Sequence, residues 1–111
     1  MPTRRGDVIA VAAPGDYGKP RPAVIVQSDA FPDTHGSVIV CQMTSMLIDA
    51  ADFRVTIAPS TANGLRAPSQ VMADKPVTIL RRRIGEPIGR LAREDMARVD
   101  AALAFVMGLA G

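Results

Sequence analysis

Short apolar runs separated by Gly, Pro, Asn and Asp clusters fill the first two thirds of the chain, the pattern of strands and turns. Asp7 to Ala12 reads as one strand, ended by Pro14-Gly15-Asp16-Tyr17-Gly18. Arg21 to Gln27 follows, and its continuous apolar stretch from Ala23 to Val26 predicts a strand covered on both faces. Ser37 to Met43 and Arg54 to Ala58 give two more strands. After the Ala62-Asn63-Gly64 turn and Pro68 come Ser69 to Ala73, Val77 to Arg82 and Pro87 to Arg90. The tail then changes period. From Ala92 onward, Met96, Val99, Leu103, Val106 and Ala110 recur at steps of three and four, one face of a helix. Glu94 and Asp95 suit its positive N-terminal end, whereas Ala92, at the cap position, has no side-chain acceptor to offer. Many short strands with one terminal helix predict a mainly β fold built as a small, strongly bent barrel.

Length and composition narrow the picture. At 111 residues, with 48% apolar and 22% charged positions, residues 1–111 make one globular domain with no repeat or linker. The balance of 13 basic against 11 acidic side chains is too even to argue for nucleic acid by itself, so the placement of charge must decide. One cysteine, Cys41, excludes an internal disulfide and fits a reducing cytosol. Met1-Pro2-Thr3-Arg4-Arg5 runs straight into the first strand with no signal-peptide core, and no apolar run is long enough to span a bilayer. The expected location is cytoplasmic, with no membrane partner.

Several chemistries are disfavoured by what the chain lacks. His35 is the only histidine and lies in a polar loop without Cys or His neighbours at ligand spacing, so no metal site is expected, and paired-histidine ribonuclease chemistry is ruled out. Cys41 falls inside a strand and reads as core. No phosphate-cradling glycine loop and no Ser-His-Asp set can be read. The densest basic run, Arg81-Arg82-Arg83 with Arg90 and Arg93, reads first as a solvated face, with phosphates, a dimer partner or an acidic peptide as the other uses; strand alternation would set Arg82 opposite Arg81 and Arg83.

Three stretches together resemble the PemK/MazF family of toxin endoribonucleases. They are Arg5-Gly6-Asp7-Val8; Gly18-Lys19-Pro20-Arg21-Pro22 with the apolar strand through Asp29; and Ser69-Gln70-Val71-Met72-Ala73-Asp74-Lys75-Pro76-Val77-Thr78. Ile88-Gly89-Arg90-Leu91 and Asp95 to Asp100 also look like family sequence. The resemblance implies an SH3-like small barrel of the CcdB/MazF type with a C-terminal helix, a homodimer, and cleavage of single-stranded RNA without metal or other cofactor. The ribose 2′-hydroxyl would attack, leaving a 2′,3′-cyclic phosphate and a 5′-hydroxyl. The partner would be a cognate antitoxin carrying an acidic, disordered segment that folds onto the toxin.

By the same resemblance, Arg21 and Thr44 are the catalytic pair. A planar, permanently charged guanidinium can hold two non-bridging oxygens of a phosphate in attack, and Pro20 and Pro22 restrict the backbone that aims it. Thr44 is a poor base at neutral pH, so positioning is its expected role. Tyr17 and Lys19 would stack a base and meet a phosphate. Ser45, Gln70, Asp74 and Lys75 are the further expected RNA contacts, with Asp74 accepting from a base edge. Two departures stand out: the Pro14–Pro20 loop is short, and Met72 occupies the position where some members carry an arginine paired with the acid at 74. Two other readings stay open: a non-catalytic barrel gripping DNA gyrase in the CcdB manner, disfavoured because the chain has no Trp, and a degenerate member that only binds a partner.

Overall fold

The computed structural model describes residues 3–12 and 20–109. Five strands come first: β1 (Asp7–Val11), β2 (Arg21–Ile25), β3 (Ser37–Thr44), β4 (Arg54–Ile57) and β5 (Ser69–Leu80). A single 3-10 turn (Arg81–Arg83), the two-residue β6 (Gly89–Arg90) and helix α1 (Arg93–Val106) complete the chain. All neighbouring strands run antiparallel in one sheet of order β4-β5-β3-β2-β1-β6. The mainly β expectation therefore holds, as a curled sheet with one C-terminal helix.

Three local expectations change. Ser69 to Ala73 and Val77 to Arg82 are not two strands but one, β5, which continues through Asp74 to Pro76. Pro76 is tolerated there because an irregularity in the β3/β5 ladder falls beside it: Cys41 faces Pro76 and Met43 faces Val71, leaving residues 72–75 as extra length on β5. The arginine run leaves the sheet as a 3-10 turn, so strand alternation does not apply to it. Arg81 instead donates from Nε to the His35 carbonyl at 2.7 Å. Of Pro87 to Arg90, only Gly89 and Arg90 pair with β1.

The curl brings the two sheet edges together. The turn after β4 touches β6 backbone to backbone, and Arg90 N–H donates to the Ala62 carbonyl at 2.8 Å. Glycine is required on both sides of this contact. A Cβ on Gly64 would lie 2.2 Å from the Ile88 carbonyl oxygen, and one on Gly89 2.2 Å from the Asn63 carbonyl carbon. Asn63, buried at this junction, shapes the turn: its Oδ1 accepts from Ser60 and Leu65 N–H, and its Nδ2 donates to the Ala58 carbonyl.

Both faces of the central strands are covered, as the Ala23–Val26 run predicts. Val24 joins Val8, Cys41, Met43, Val71 and the helix residues Val99 and Ala102 in one cluster. Ala23 and Ile25 join Ile9, Val11, Val38 and Val40 in another. Helix α1 starts without a side-chain cap at Ala92, as expected, with Glu94 and Asp95 in its first turn. Arg5 ties the helix to the sheet, pairing with Asp100 and donating from Nε to the Val26 carbonyl at 3.0 Å.

Candidate functional site

Strand alternation sorts the polar residues onto one face. Cys41, Met43, Val55, Ile57, Val71 and Ala73 point to the helix-side core, so Gln42, Thr44, Arg54, Thr56, Gln70 and Met72 project the other way. Register then lines them up. Thr44 faces Gln70 across β3/β5, and Gln70 faces Thr56 across β5/β4. Ala23 faces Gln42 across β2/β3; continued by two residues, that register sets Arg21 across from Thr44. Arg21, Thr44, Gln70 and Thr56 thus form a row over four strands spaced about 4.8 Å apart. The expected catalytic pair lies on adjacent strands, on one face of the sheet.

Each member of the row has a different setting. Arg21 is exposed at the first position of β2, opposite Val11. Thr44 is half-buried at the last position of β3, where the chain turns away. Its Oγ1 accepts the Met46 N–H at 3.1 Å, which limits the directions left for its own O–H. Ser45 is exposed in that turn. Gln70 departs from the expected RNA contact: it is 4% exposed, and its amide is committed to both backbone groups of Ile48 and to the Thr56 hydroxyl.

Beside the row lies a second polar feature, centred on Asp74. Rather than sitting in a loop between strands, Asp74 lies in the extra length of β5, and Arg54 grips it with two hydrogen bonds, Nε to Oδ1 at 2.9 Å and Nη2 to Oδ2 at 3.4 Å. Arg54 faces Met72 across β4/β5. The guanidinium absent from position 72 is therefore supplied from the neighbouring strand. Sequence spacing could not show this, because the two residues are 20 positions apart. These hydrogen bonds hold the Asp74 carboxyl below its ordinary value of 3.8, so it is an anionic acceptor at neutral pH. Lys75 next to it is exposed. Arg54, Thr56 and Gln70 line one wall of a groove of about 480 Å³, whose other walls are the segment from Ile48 to Asp52 and the α1 residues Arg98 and Phe105.

The remaining expectations are quickly placed. Tyr17 and Lys19 lie outside the described residues. Cys41 is fully buried, and burial first, with Asp74 adding, pushes its thiol up to about 12, which leaves no thiolate for nucleophilic work. His35 is an exposed loop residue against the edge of Phe31. Among the described residues, no three His, Cys, Asp or Glu side chains are grouped to hold a metal ion.

Comparison with known proteins finds relatives in both sequence and fold. Residues 4–107 match the family model described as a PemK-like, MazF-like toxin of type II toxin–antitoxin systems. A probable endoribonuclease MazF of Mycolicibacterium smegmatis is 45% identical over 109 residues, covering 97% of this chain and 99% of that protein. Two solved structures share the fold, each with a TM-score of 0.79. One is the Mycobacterium tuberculosis toxin MazF-mt6, at 23% identity over 93% of this chain and 97% of that one. The other is a mycobacterial endoribonuclease in complex with its cognate antitoxin, at 21% identity over 96% of both chains.

Proposed function

The chain belongs to the PemK-like, MazF-like family of type II toxins, and we propose that it cleaves single-stranded RNA with Arg21 and Thr44 as its catalytic pair. It is the endoribonuclease toxin of a toxin–antitoxin pair. The observation that carries the site assignment is the shared register of Arg21 and Thr44 on one open face of the sheet.

The ribose 2′-oxygen bonds to phosphorus as the bond from phosphorus to the 5′-oxygen breaks, with net transfer of the 2′-proton to the departing oxygen. The products are a 2′,3′-cyclic phosphate and a 5′-hydroxyl. Negative charge gathers on the non-bridging oxygens, and the Arg21 guanidinium, fixed in charge and planar, neutralises it. Thr44 donates its O–H to the same phosphate, whose non-bridging oxygens only accept, while its Oγ1 accepts the Met46 N–H. Ser45 and Lys75 flank the path of the RNA, and the Asp74 carboxylate, kept ionised by Arg54, accepts from a base edge. Tyr17 and Lys19 contribute a stacking face and a cation from the β1–β2 connection. The substrate provides its own nucleophile and no metal enters the scheme.

The partner reading follows. A homodimer is supported by the apolar side chains left exposed after β3 and along the end of α1, Met46, Leu47, Ile48, Phe105, Met107 and Leu109, an unusual concentration for a chain of this size. An antitoxin with an acidic disordered segment is the second partner; a structural relative was solved with its cognate antitoxin. Action on RNA supports the cytoplasm as its location, and no described helix is long and apolar enough to cross a membrane. The relative named as an endoribonuclease speaks against the gyrase-binding alternative.

The test is cleavage of a mixed RNA pool by purified protein in excess chelator, with the ends mapped. Cyclic phosphate and 5′-hydroxyl termini are expected, with cleavage lost in Arg21→Ala and reduced in Thr44→Ala. Cleavage that requires a divalent ion, or survives Arg21→Ala, overturns the mechanism.

A further inference from the structure

Gln70 occupies a strand position facing the open side of the sheet, yet it is 4% exposed. What covers it is the backbone that follows Thr44. Its Oε1 accepts the Ile48 N–H at 3.1 Å, and its Nε2 donates to the Ile48 carbonyl at 2.9 Å and to the Thr56 hydroxyl at 3.2 Å. One primary amide thus satisfies both polar groups of a single residue, much as a neighbouring strand would. Packing does not hold this segment down, for Met46 is 76% exposed, Leu47 48% and Ile48 45%. Polar clamping does.

The clamp lies next to the reacting group. Gln70 is the cross-strand partner of Thr44, and Ile48 is only four residues beyond Thr44 in the chain. Between them, the Met46 N–H donates to Thr44 Oγ1 at 3.1 Å. Pinning Ile48 fixes the path of residues 45–47, which fixes that N–H and with it the direction left for the Thr44 O–H. Without the clamp, an exposed segment with little apolar anchorage is free to carry the Met46 N–H away, and the hydroxyl can then rotate.

We propose that Gln70 is a positioning residue for RNA cleavage: it clamps Ile48 so that the segment after β3 orients the Thr44 hydroxyl toward the phosphate. This rests on the assignment of Thr44 to the reaction. The experiment compares wild type, Gln70→Leu, Thr44→Ala and the double variant in single-turnover and steady-state cleavage of one RNA oligonucleotide, with thermal melting as a check on folding. Leucine keeps the size and removes both hydrogen-bonding ends, while Ile48, being exposed, can turn to water.

Misorientation predicts that Gln70→Leu lowers kcat roughly ten- to a hundred-fold with KM little changed. On the Thr44→Ala background the same change has an effect within about twofold, because it acts through a group already gone. Equal losses on both backgrounds overturn the proposal, as does full activity of Gln70→Leu. If Thr44→Ala itself retains wild-type activity, the fault lies with the role given to Thr44, and the clamp proposal falls with it. Gln70→Glu supplies a second reading that does not depend on how leucine folds. A protonated carboxyl donates and accepts as the amide does, but a carboxylate faces the Ile48 carbonyl with no proton to give. The kcat of Gln70→Glu relative to wild type therefore rises as pH falls; a ratio that stays flat with pH overturns the proposal.

Discussion

Two arginines point from the same face of the sheet and meet opposite circumstances. Arg21 opens β2, exposed, on the strand next to Thr44. Arg54 sits in β4 with a side chain 10% exposed and both ends of its fork on the Asp74 carboxylate. The chemistry of the group is identical; its surroundings decide its use. A guanidinium locked onto a carboxylate at 2.9 Å has little charge left for a passing phosphate, and what it does is hold the extra length of β5 against β4. A guanidinium at a strand mouth can meet a substrate. Function on this sheet is set by where the fold places each cation, at an exposed strand mouth or buried beside a carboxylate, and net charge says nothing of that.

The largest effects should separate the two. Arg21→Ala is expected to lower kcat on the order of 10²–10³-fold, the loss typical of one preorganised donor at a developing anion. Arg54→Met should act on stability instead. It leaves a partly buried carboxylate without its partner, so equilibrium unfolding in urea should show a loss of about 1–3 kcal/mol, with kcat falling far less than in Arg21→Ala. If Arg54→Met matched Arg21→Ala in kcat while remaining fully stable, the division between catalytic and structural cation would be wrong.

Much of this was legible in the sequence. Alternation and turn residues locate the strands, the 3-4 spacing locates α1, and Arg21-Pro22 and Thr44 stand out by family resemblance. What was hidden depends on pairings between distant residues. The spacing of Asp74 and Pro76 reads as a loop, yet the ladder absorbs them as extra length on β5 because Arg54 and the Phe53 carbonyl, which accepts the Ala73 N–H, secure that stretch from β4. Met72 reads as a missing cation because the replacement comes from another strand. Gln70 is an expected RNA contact by family resemblance alone; that the chain returns at Ile48 and covers it cannot be read from the sequence. The arginines 81–83 read as strand because nothing in their identities marks the 3-10 turn.

The Arg54–Asp74 pair also has a pH signature. The folded carboxyl titrates below its ordinary 3.8, so in the folded protein it holds its proton less tightly than in the unfolded chain. The pair therefore contributes stability above 3.8, and that contribution is lost as pH falls through the lower, folded value. The stability gap between wild type and Arg54→Met, measured by urea unfolding across pH, should be flat at neutral pH and close on acidification below 3.8. A gap that widens toward acid would mean that the partner of Arg54 is some group other than this carboxylate.

The smallest expected effect concerns Cys41, which lies behind the same carboxylate. Its thiol is pushed up to about 12 mainly by burial, with the negative charge of Asp74 second and Arg5 opposing. Removing the charge while keeping the shape, as in Asp74→Asn, takes away only the lesser cause. Alkylation of the native protein by iodoacetamide should therefore stay slow in both wild type and Asp74→Asn, becoming rapid only in denaturant, and RNA cleavage should survive the treatment. Rapid native labelling of Asp74→Asn alone would show that the ion pair, and not the packing of Val24 and Met43 around the sulfur, keeps this side chain inert; Arg54 would then be guarding the core as well as bracing the strand.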